Sequence, residues 1–309
     1  MNMSFAFVFP GQGSQALGMS KTLAEAFSVV QETYQEASDA LGYDLWALCQ
    51  DGPIERLSQT ECTQPALLTA GVASFRAWQS AGGALPSAMA GHSLGEYTAL
   101  TCAGALSFAD AVTLVRDRGK YMQQAVPEGQ GGMAAVLGLD SQVVIDVCEQ
   151  VSSDSDSVQA VNFNAPGQVV IAGSAQGIEN AVAALKTAGA KRAMPLPVSI
   201  PAHSRLMTPA CEQLRARIDQ IEVTLPSVPV LHNTDLSVAA DVETLKHNLI
   251  EQLHSPVRWV ETIEKMAADG VDSFVESGPG KVLSGMIKRI APSAEVAAIN
   301  DPDQIHQLI

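Results

Sequence analysis

Cysteine is scarce in this chain of 309 residues: there are five, Cys49, Cys62, Cys102, Cys148 and Cys211. They are odd in number, scattered and without metal-type spacing. That argues against a disulfide framework or a zinc site and predicts a reduced, cytoplasmic protein. Long apolar runs are missing as well. None approaches the length needed to span a bilayer, and Met1-Asn2-Met3-Ser4 lacks the basic region of a signal peptide, so no membrane partner is expected. Basic residues are few, 18 Lys and Arg against 33 Asp and Glu. The net charge of −15 argues against nucleic acid as a general partner. It leaves room for a local positive patch facing an acidic partner. No low-complexity tract interrupts the chain, and its composition is that of a globular protein, either one large domain or a domain carrying an insertion.

What the chain does have is Ala88-Met89-Ala90 leading into Gly91-His92-Ser93-Leu94-Gly95, a G-x-S-x-G sequence. A glycine two residues either side of a serine lets the chain turn sharply from strand to helix. The hydroxyl is left exposed at the apex, with the next backbone N–H facing any oxyanion formed there. The run Glu96 to Leu106 is helix-compatible and rich in small residues, as close packing under a sheet requires. Strand, elbow and helix come in the order that a nucleophilic serine needs.

Ser4 to Phe9 reads as a buried strand closed by Pro10. Gly11, Gly13 and Ala16 then fit G-x-G-x-x-A, but a dinucleotide site would need a second strand ending in an acidic residue about twenty residues on. The chain instead continues as helix from Met19 to Leu41. We read the glycine loop as backbone N–H groups aimed at an anionic or oxyanionic group, and expect no cofactor and no metal. Short helical pieces follow over Tyr43 to Leu57, and Pro65 opens a helix to Ser80. Ser107-Phe108-Ala109-Asp110 is a capping box that starts a helix to Val126. At 100° per residue its apolar arc holds Leu114, Ala111, Val115 and Met122, with Arg118 in the middle. A guanidinium there needs an anionic partner or an escape route for its head group.

Pro127 to Gly132 is the clearest linker. Beyond it the order is strand (Met133 to Leu139), helix (Ser141 to Val151), strand (Val158 to Asn164), strand (Gln168 to Ala172), helix (Gln176 to Ala188) and strand (Lys191 to Leu196). This β-α-β-β-α-β order marks 129–198 as an inserted ferredoxin-like domain between 1–128 and 199–309. The rest alternates: helix Arg205 to Ile221, strand Val228 to His232, helices Val242 to Leu253 and Val257 to Ala268, strand Val271 to Glu276, helix Lys281 to Ile290, strand Ala294 to Ile299. Such alternation predicts an α/β fold, a parallel sheet covered on both faces, with its cleft at the carboxyl ends of the strands.

A serine hydroxyl needs a base, usually histidine. His92 adjoins Ser93 and suits a supporting role. His247 lies within a helix and His306 in the terminal tail. His203, His232 and His254 each sit at a loop or element end, and His203 is favoured because two prolines stiffen its loop at the domain junction. No Asp or Glu stands out as an orienting third member.

Phe9-Pro10-Gly11-Gln12-Gly13-Ser14-Gln15, Gly91-His92-Ser93-Leu94-Gly95-Glu96-Tyr97, Arg118-Gly119-Lys120, Val161-Asn162-Phe163-Asn164, His203 followed by Leu206-Met207, and Gly278-Pro279-Gly280-Lys281-Val282-Leu283 occur in this order. Together they resemble the malonyl-coenzyme A:acyl carrier protein transacylase family, nearly from end to end. The resemblance implies an α/β-hydrolase-like core with a ferredoxin-like insertion and a ping-pong acyl transfer in fatty acid biosynthesis. It implies malonyl-CoA as donor, acyl carrier protein as partner, Ser93 as nucleophile and His203 as general base then acid. It further implies Gln12 and Leu94 N–H groups as the oxyanion hole and Arg118 as holder of the malonyl carboxylate. A backbone carbonyl near Gln252 would orient the histidine, and His92 and Asn162 would line the cleft. Ile200-Pro201-Ala202 departs from the His-Ala-Phe that precedes the histidine in many malonyl-selective synthase domains, a departure that bears on acyl selectivity. The rival readings are a serine thioesterase or esterase, with water as acceptor, and a non-catalytic module that binds a carrier protein.

Overall fold

The computed structural model describes residues 4–309. Met1 to Met3, part of the start read above as lacking a signal peptide, lie outside the described residues. Nine strands run through them: β1 (Phe5–Phe9), β2 (Ala88–Gly91), β3 (Gly131–Leu137), β4 (Val158–Ala165), β5 (Gln168–Ser174), β6 (Arg192–Pro195), β7 (Val230–Leu231), β8 (Ser273–Glu276) and β9 (Glu295–Ala298). They form a five-stranded sheet in the order β7-β2-β1-β8-β9, every pair parallel, and a separate four-stranded antiparallel sheet in the order β4-β5-β3-β6. The chain is therefore α/β, as its alternation predicts. No helix among the described residues is long and apolar enough to cross a membrane.

The parallel sheet is covered on both faces because its central strand is apolar on both. Successive strand residues point to opposite sides. Phe7 and Phe9 meet Phe75, and Phe7 meets Trp78, on the helix Thr60–Ser80. Ala6 and Val8 join a second cluster with Trp259, Ile263 and Phe274. Each fully buried phenylalanine contributes roughly 1.5–3 kcal/mol through apolar area removed from water. The antiparallel sheet is one-sided in its helix cover, with Ala134, Val136, Val169 and Ile171 packing Val144, Cys148, Ile178 and Leu185.

Its other face matters for function, and a bulge sets it. In the β4–β5 register Ala160 faces Ile171 and Asn162 faces Val170, so Val161 is the extra residue. One inserted residue changes which side the following side chains take. Asn162 and Asn164 consequently share the face of Val170 and look into the cleft, away from the helices that Ala160 packs against. Backbone bonds from Phe163 N–H to Val257 O (3.1 Å) and from Val257 N–H to Val161 O (2.8 Å) tie this strand to the larger sheet's side.

Four local expectations need correction. The helix expected from Pro65 begins at Thr60. Proline's missing N–H removes only the bond to the Glu61 carbonyl near the helix start, so the helix runs through it. The helix expected over Met19 to Leu41 is two, Lys21–Ala26 and Ser28–Leu41, broken at an extended Phe27. Gly131 and Gly132, read as linker, pair with Ser174 and Gly173 in β3, because a partner strand supplies the ladder that glycine's own propensity does not. The terminal tail is a helix, Pro302–Leu308, capped by Asp301.

Candidate active site

Ser93 occupies the turn between β2 and the helix Leu94–Cys102, at φ 53° and ψ −109°. A non-glycine residue held at positive φ is strained by about 1–3 kcal/mol and persists only where its surroundings enforce it. The flanking glycines are required by contact. A Cβ on Gly91 would lie 1.8 Å from the Gly95 carbonyl carbon, and one on Gly95 would lie 2.0 Å from the Phe9 oxygen. The elbow can close only because both positions lack a side chain.

The Ser93 hydroxyl is 2.7 Å from His203 Nε2. The far ring nitrogen, Nδ1, is 2.7 Å from the main-chain carbonyl of Gln252. A carbonyl can only accept, so Nδ1 carries the proton and Nε2 is free to accept from the serine. Burial, with the charge of Arg118 behind it, pushes the His203 pKa down to about 3. The ring is therefore neutral and able to take a proton.

Arg118 is 1% exposed. Nη1 donates to Gln64 Oε1 (2.8 Å), and Nη2 donates to Gln252 Oε1 (2.9 Å) and, more loosely, to the Ser93 hydroxyl (3.3 Å). Its Cζ sits 5.2 Å from the centre of the Tyr97 ring. Among the described residues no carboxylate lies within ion-pair distance of it, and Nε has no partner. Burial lowers its pKa, opposed by Tyr97 and Glu96, but a guanidinium stays charged at any ordinary pH. The result is a desolvated cation with N–H groups to spare, 3.3 Å from the nucleophile. These groups open into a cleft of about 950 Å³ between the two sheets, walled by Gln12, His92, Asn162 and Met286 among others. Among the described residues neither the Gln12 nor the Leu94 N–H meets an internal acceptor.

An acyl transferase domain model matches residues 6–301. The malonyl CoA-acyl carrier protein transacylase of Salmonella typhimurium is 54% identical over 298 residues, 96% of each chain. The chain belongs to the acyl transferase family, among the malonyl CoA-acyl carrier protein transacylases. The solved structure of such a transacylase from Coxiella burnetii superimposes with a TM-score of 0.98 at 49% identity, over 99% of this chain and 97% of that one. A malonyl-transacylase solved in complex with its type II PKS acyl-carrier protein matches with a TM-score of 0.97 at 52% identity, over 99% and 98%.

Within this acyl transferase architecture the other expected residues take definite places. His92 is partly exposed, packs edge-on against Trp259, and donates from Nε2 to Asn164 Oδ1 (2.8 Å); desolvation of its ring lowers its pKa. Asn162 lines the cleft, and it is Asn164 rather than Asn162 that hydrogen-bonds His92. Gln252 is 0% exposed, so its side chain bears on the site through Arg118 and Ser93 rather than by opening into the cleft.

The other candidate bases lie elsewhere. His232 Nδ1 is 2.7 Å from Glu96 Oε1; burial alone would lower its pKa, but the carboxylate outweighs that and raises it. His254 is 3.5 Å from Glu251. Sequence reasoning did not single out Gln64, Glu96, Asn164 or Asn233. Glu96 directly follows the serine motif, and Asn164 follows Asn162 at strand spacing, so signals existed for those two. Nothing local marks Gln64 or Asn233.

Proposed function

We propose that this chain moves a malonyl group from malonyl-CoA to the phosphopantetheine thiol of an acyl carrier protein, through a malonyl-serine at Ser93, in fatty acid biosynthesis. The observation that carries this reading is the unpaired, buried Arg118 guanidinium beside the Ser93 hydroxyl. Serine and histidine suffice for any acyl thioester. A desolvated cation next to them is useful only to an acyl group that brings its own carboxylate.

His203 Nε2 takes the Ser93 proton as the oxygen attacks the thioester carbonyl. The carbonyl oxygen becomes an oxyanion, held by the free N–H groups of Gln12 and Leu94. Collapse breaks the C–S bond, and the imidazolium returns its proton to the departing coenzyme A thiolate. In the second half the carrier thiol gives its proton to His203, attacks the malonyl-serine, and Ser93 Oγ leaves with the proton. The malonyl carboxylate pairs with Arg118 throughout. By neutralising the guanidinium it removes the largest charge effect among the causes that depress His203, so the base strengthens when the right acyl group is bound. Protein groups carry every step, and the scheme invokes no cofactor.

The strand order β4-β5-β3-β6 supports a ferredoxin-like insertion over 129–198, seated on an α/β-hydrolase-like domain of 1–128 and 199–309. The free thiols, four of the five buried, fit a cytoplasmic setting. The deciding experiment presents malonyl-CoA together with holo acyl carrier protein. Malonyl-carrier should form much faster than free malonate appears; malonate forming as fast with or without the carrier would make the protein a thioesterase instead.

A further inference from the structure

Glu96 is completely buried, and every group around its carboxylate is a donor. His232 Nδ1–H reaches Oε1 (2.7 Å), and Asn233 N–H and Gln252 Nε2–H both reach Oε2 (2.9 Å each). A buried carboxylate costs several kcal/mol unless so satisfied. What it organises is the elbow. Asn233 clamps both sides of the nucleophile, accepting from Ser93 N–H (2.8 Å) and donating to Gly91 O (2.7 Å). Gln252 donates to the Ser93 carbonyl (3.0 Å), accepts from Arg118, and holds His203 with its own carbonyl. The orientation of the Gln252 amide is forced, because Arg118 can only donate while Glu96 and Ser93 O can only accept. The strained Ser93 is thus gripped at its N–H and its carbonyl by two side chains, and both are anchored on Glu96.

We propose that Glu96 is the positioning residue of the site: its carboxylate, by anchoring Asn233 and Gln252, holds Ser93 in its strained conformation and keeps His203 in register with it, while Arg118 keeps its separate anchor on Gln64. The inference rests on the reading of Ser93 as nucleophile. Glu96 touches neither acyl group nor thiol, so its removal acts on the rate of acylation rather than on substrate capture.

Glu96→Gln keeps an acceptor for Asn233 and Gln252 and offers its NH2 to His232, whose ring accepts at Nδ1 after a tautomer change. Glu96→Ala removes the anchor, and Glu96→Asp withdraws it by one methylene while keeping the charge, which covers the case that the alanine variant does not fold. Single-turnover acylation by malonyl-CoA, with thermal melting in parallel, separates the roles. A mispositioned nucleophile costs on the order of 100-fold in rate. That loss is expected in kcat for Glu96→Ala and Glu96→Asp, with KM little changed and Glu96→Gln recovering most of it. A folded alanine or aspartate variant that acylates at the parental rate, or a glutamine variant as slow as the alanine one, overturns the proposal. Ser93→Ala run alongside keeps the two readings apart. If it still becomes acylated, the nucleophile assignment fails and this inference with it; if it is inert while Glu96→Ala and Glu96→Asp are normal, only the inference fails.

Discussion

The Nδ1 of His203 lies 2.7 Å from the main-chain carbonyl of Gln252, and this one contact does the work that a carboxylate does in a serine triad. It fixes the tautomer and aims Nε2 at Ser93 without placing a negative charge beside the ring. The residue that supplies the carbonyl also steers Arg118 with its side chain. Base and acyl-recognition group are therefore referred to a single point on the backbone.

Arg118 should decide which acyl groups the site accepts. Malonyl differs from acetyl by one carboxylate, which an apolar pocket excludes and a forked guanidinium holds. A partly desolvated bidentate pair is worth roughly 2–4 kcal/mol, on the order of 30- to 1,000-fold in discrimination. Arg118→Ala should lose malonyl transfer by that factor while sparing acetyl transfer, and Arg118→Lys should recover only part of it. Equal losses for both acyl groups, measured beside thermal stability, would give the arginine a structural role only.

The depressed pKa of His203 carries a pH signature. Its folded value of about 3 lies below the 6.5 of a free imidazole, so the unfolded chain binds the extra proton first. Stability from this residue is complete above about 6.5 and is lost as pH falls toward 3. Acylation by acetyl-CoA should accordingly show no fall between pH 7.5 and 5.5 from protonation of the base. In Arg118→Ala one cause of the depression is gone, and the acid limb should move to higher pH. A parental acid limb centred near the free-imidazole value would contradict this.

The elbow tolerates no side chain at Gly95, where a Cβ would meet the Phe9 oxygen at 2.0 Å. Gly95→Ala should cost on the order of 3 kcal/mol through overpacking. It should also abolish labelling of Ser93 by a serine-directed probe, even in the fraction that remains folded. Parental melting and labelling would remove the steric account of the motif.

An acidic carrier protein docking on a chain of net charge −15 needs a local positive surface. Lys191, Arg192, Lys281 and Lys288 are exposed. Arg289, which belongs to the same sequence cluster, is instead committed to Gln168 Oε1 and Pro166 O. Charge reversal at the first four should raise the apparent KM for the carrier more at low salt than at high salt, while reversal at Arg289 should act mainly on stability. An unchanged KM at low salt would place docking elsewhere.

Much of this site could be read before any coordinates, because its signals are local. Gly91, Ser93 and Gly95 declare a turn by spacing alone, and Arg118 betrays itself by helical period. The β-α-β-β-α-β order needed only element lengths. The terminal helix was missed although its signal is local, since Asp301-Pro302 is a helix-start signature. The Glu96 network was not. Its contacts span 137 residues to Asn233 by way of a backbone N–H and 156 residues to Gln252 by way of a side chain, and no local pattern encodes either. The bulge at Val161 was hidden for the same reason: an extra residue is extra only against a partner strand, and β5 comes later in the chain.

The central claim is that Ser93 carries the malonyl group between donor and acceptor. The most direct test is the intact mass of the protein after brief mixing with malonyl-CoA and no acceptor, for the parent and for Ser93→Ala. The account predicts a gain of one malonyl group in the parent, its loss on adding holo acyl carrier protein, and no gain in the variant. A variant that gains the same mass and passes it to the carrier, or a parent that transfers without ever gaining mass, would contradict it.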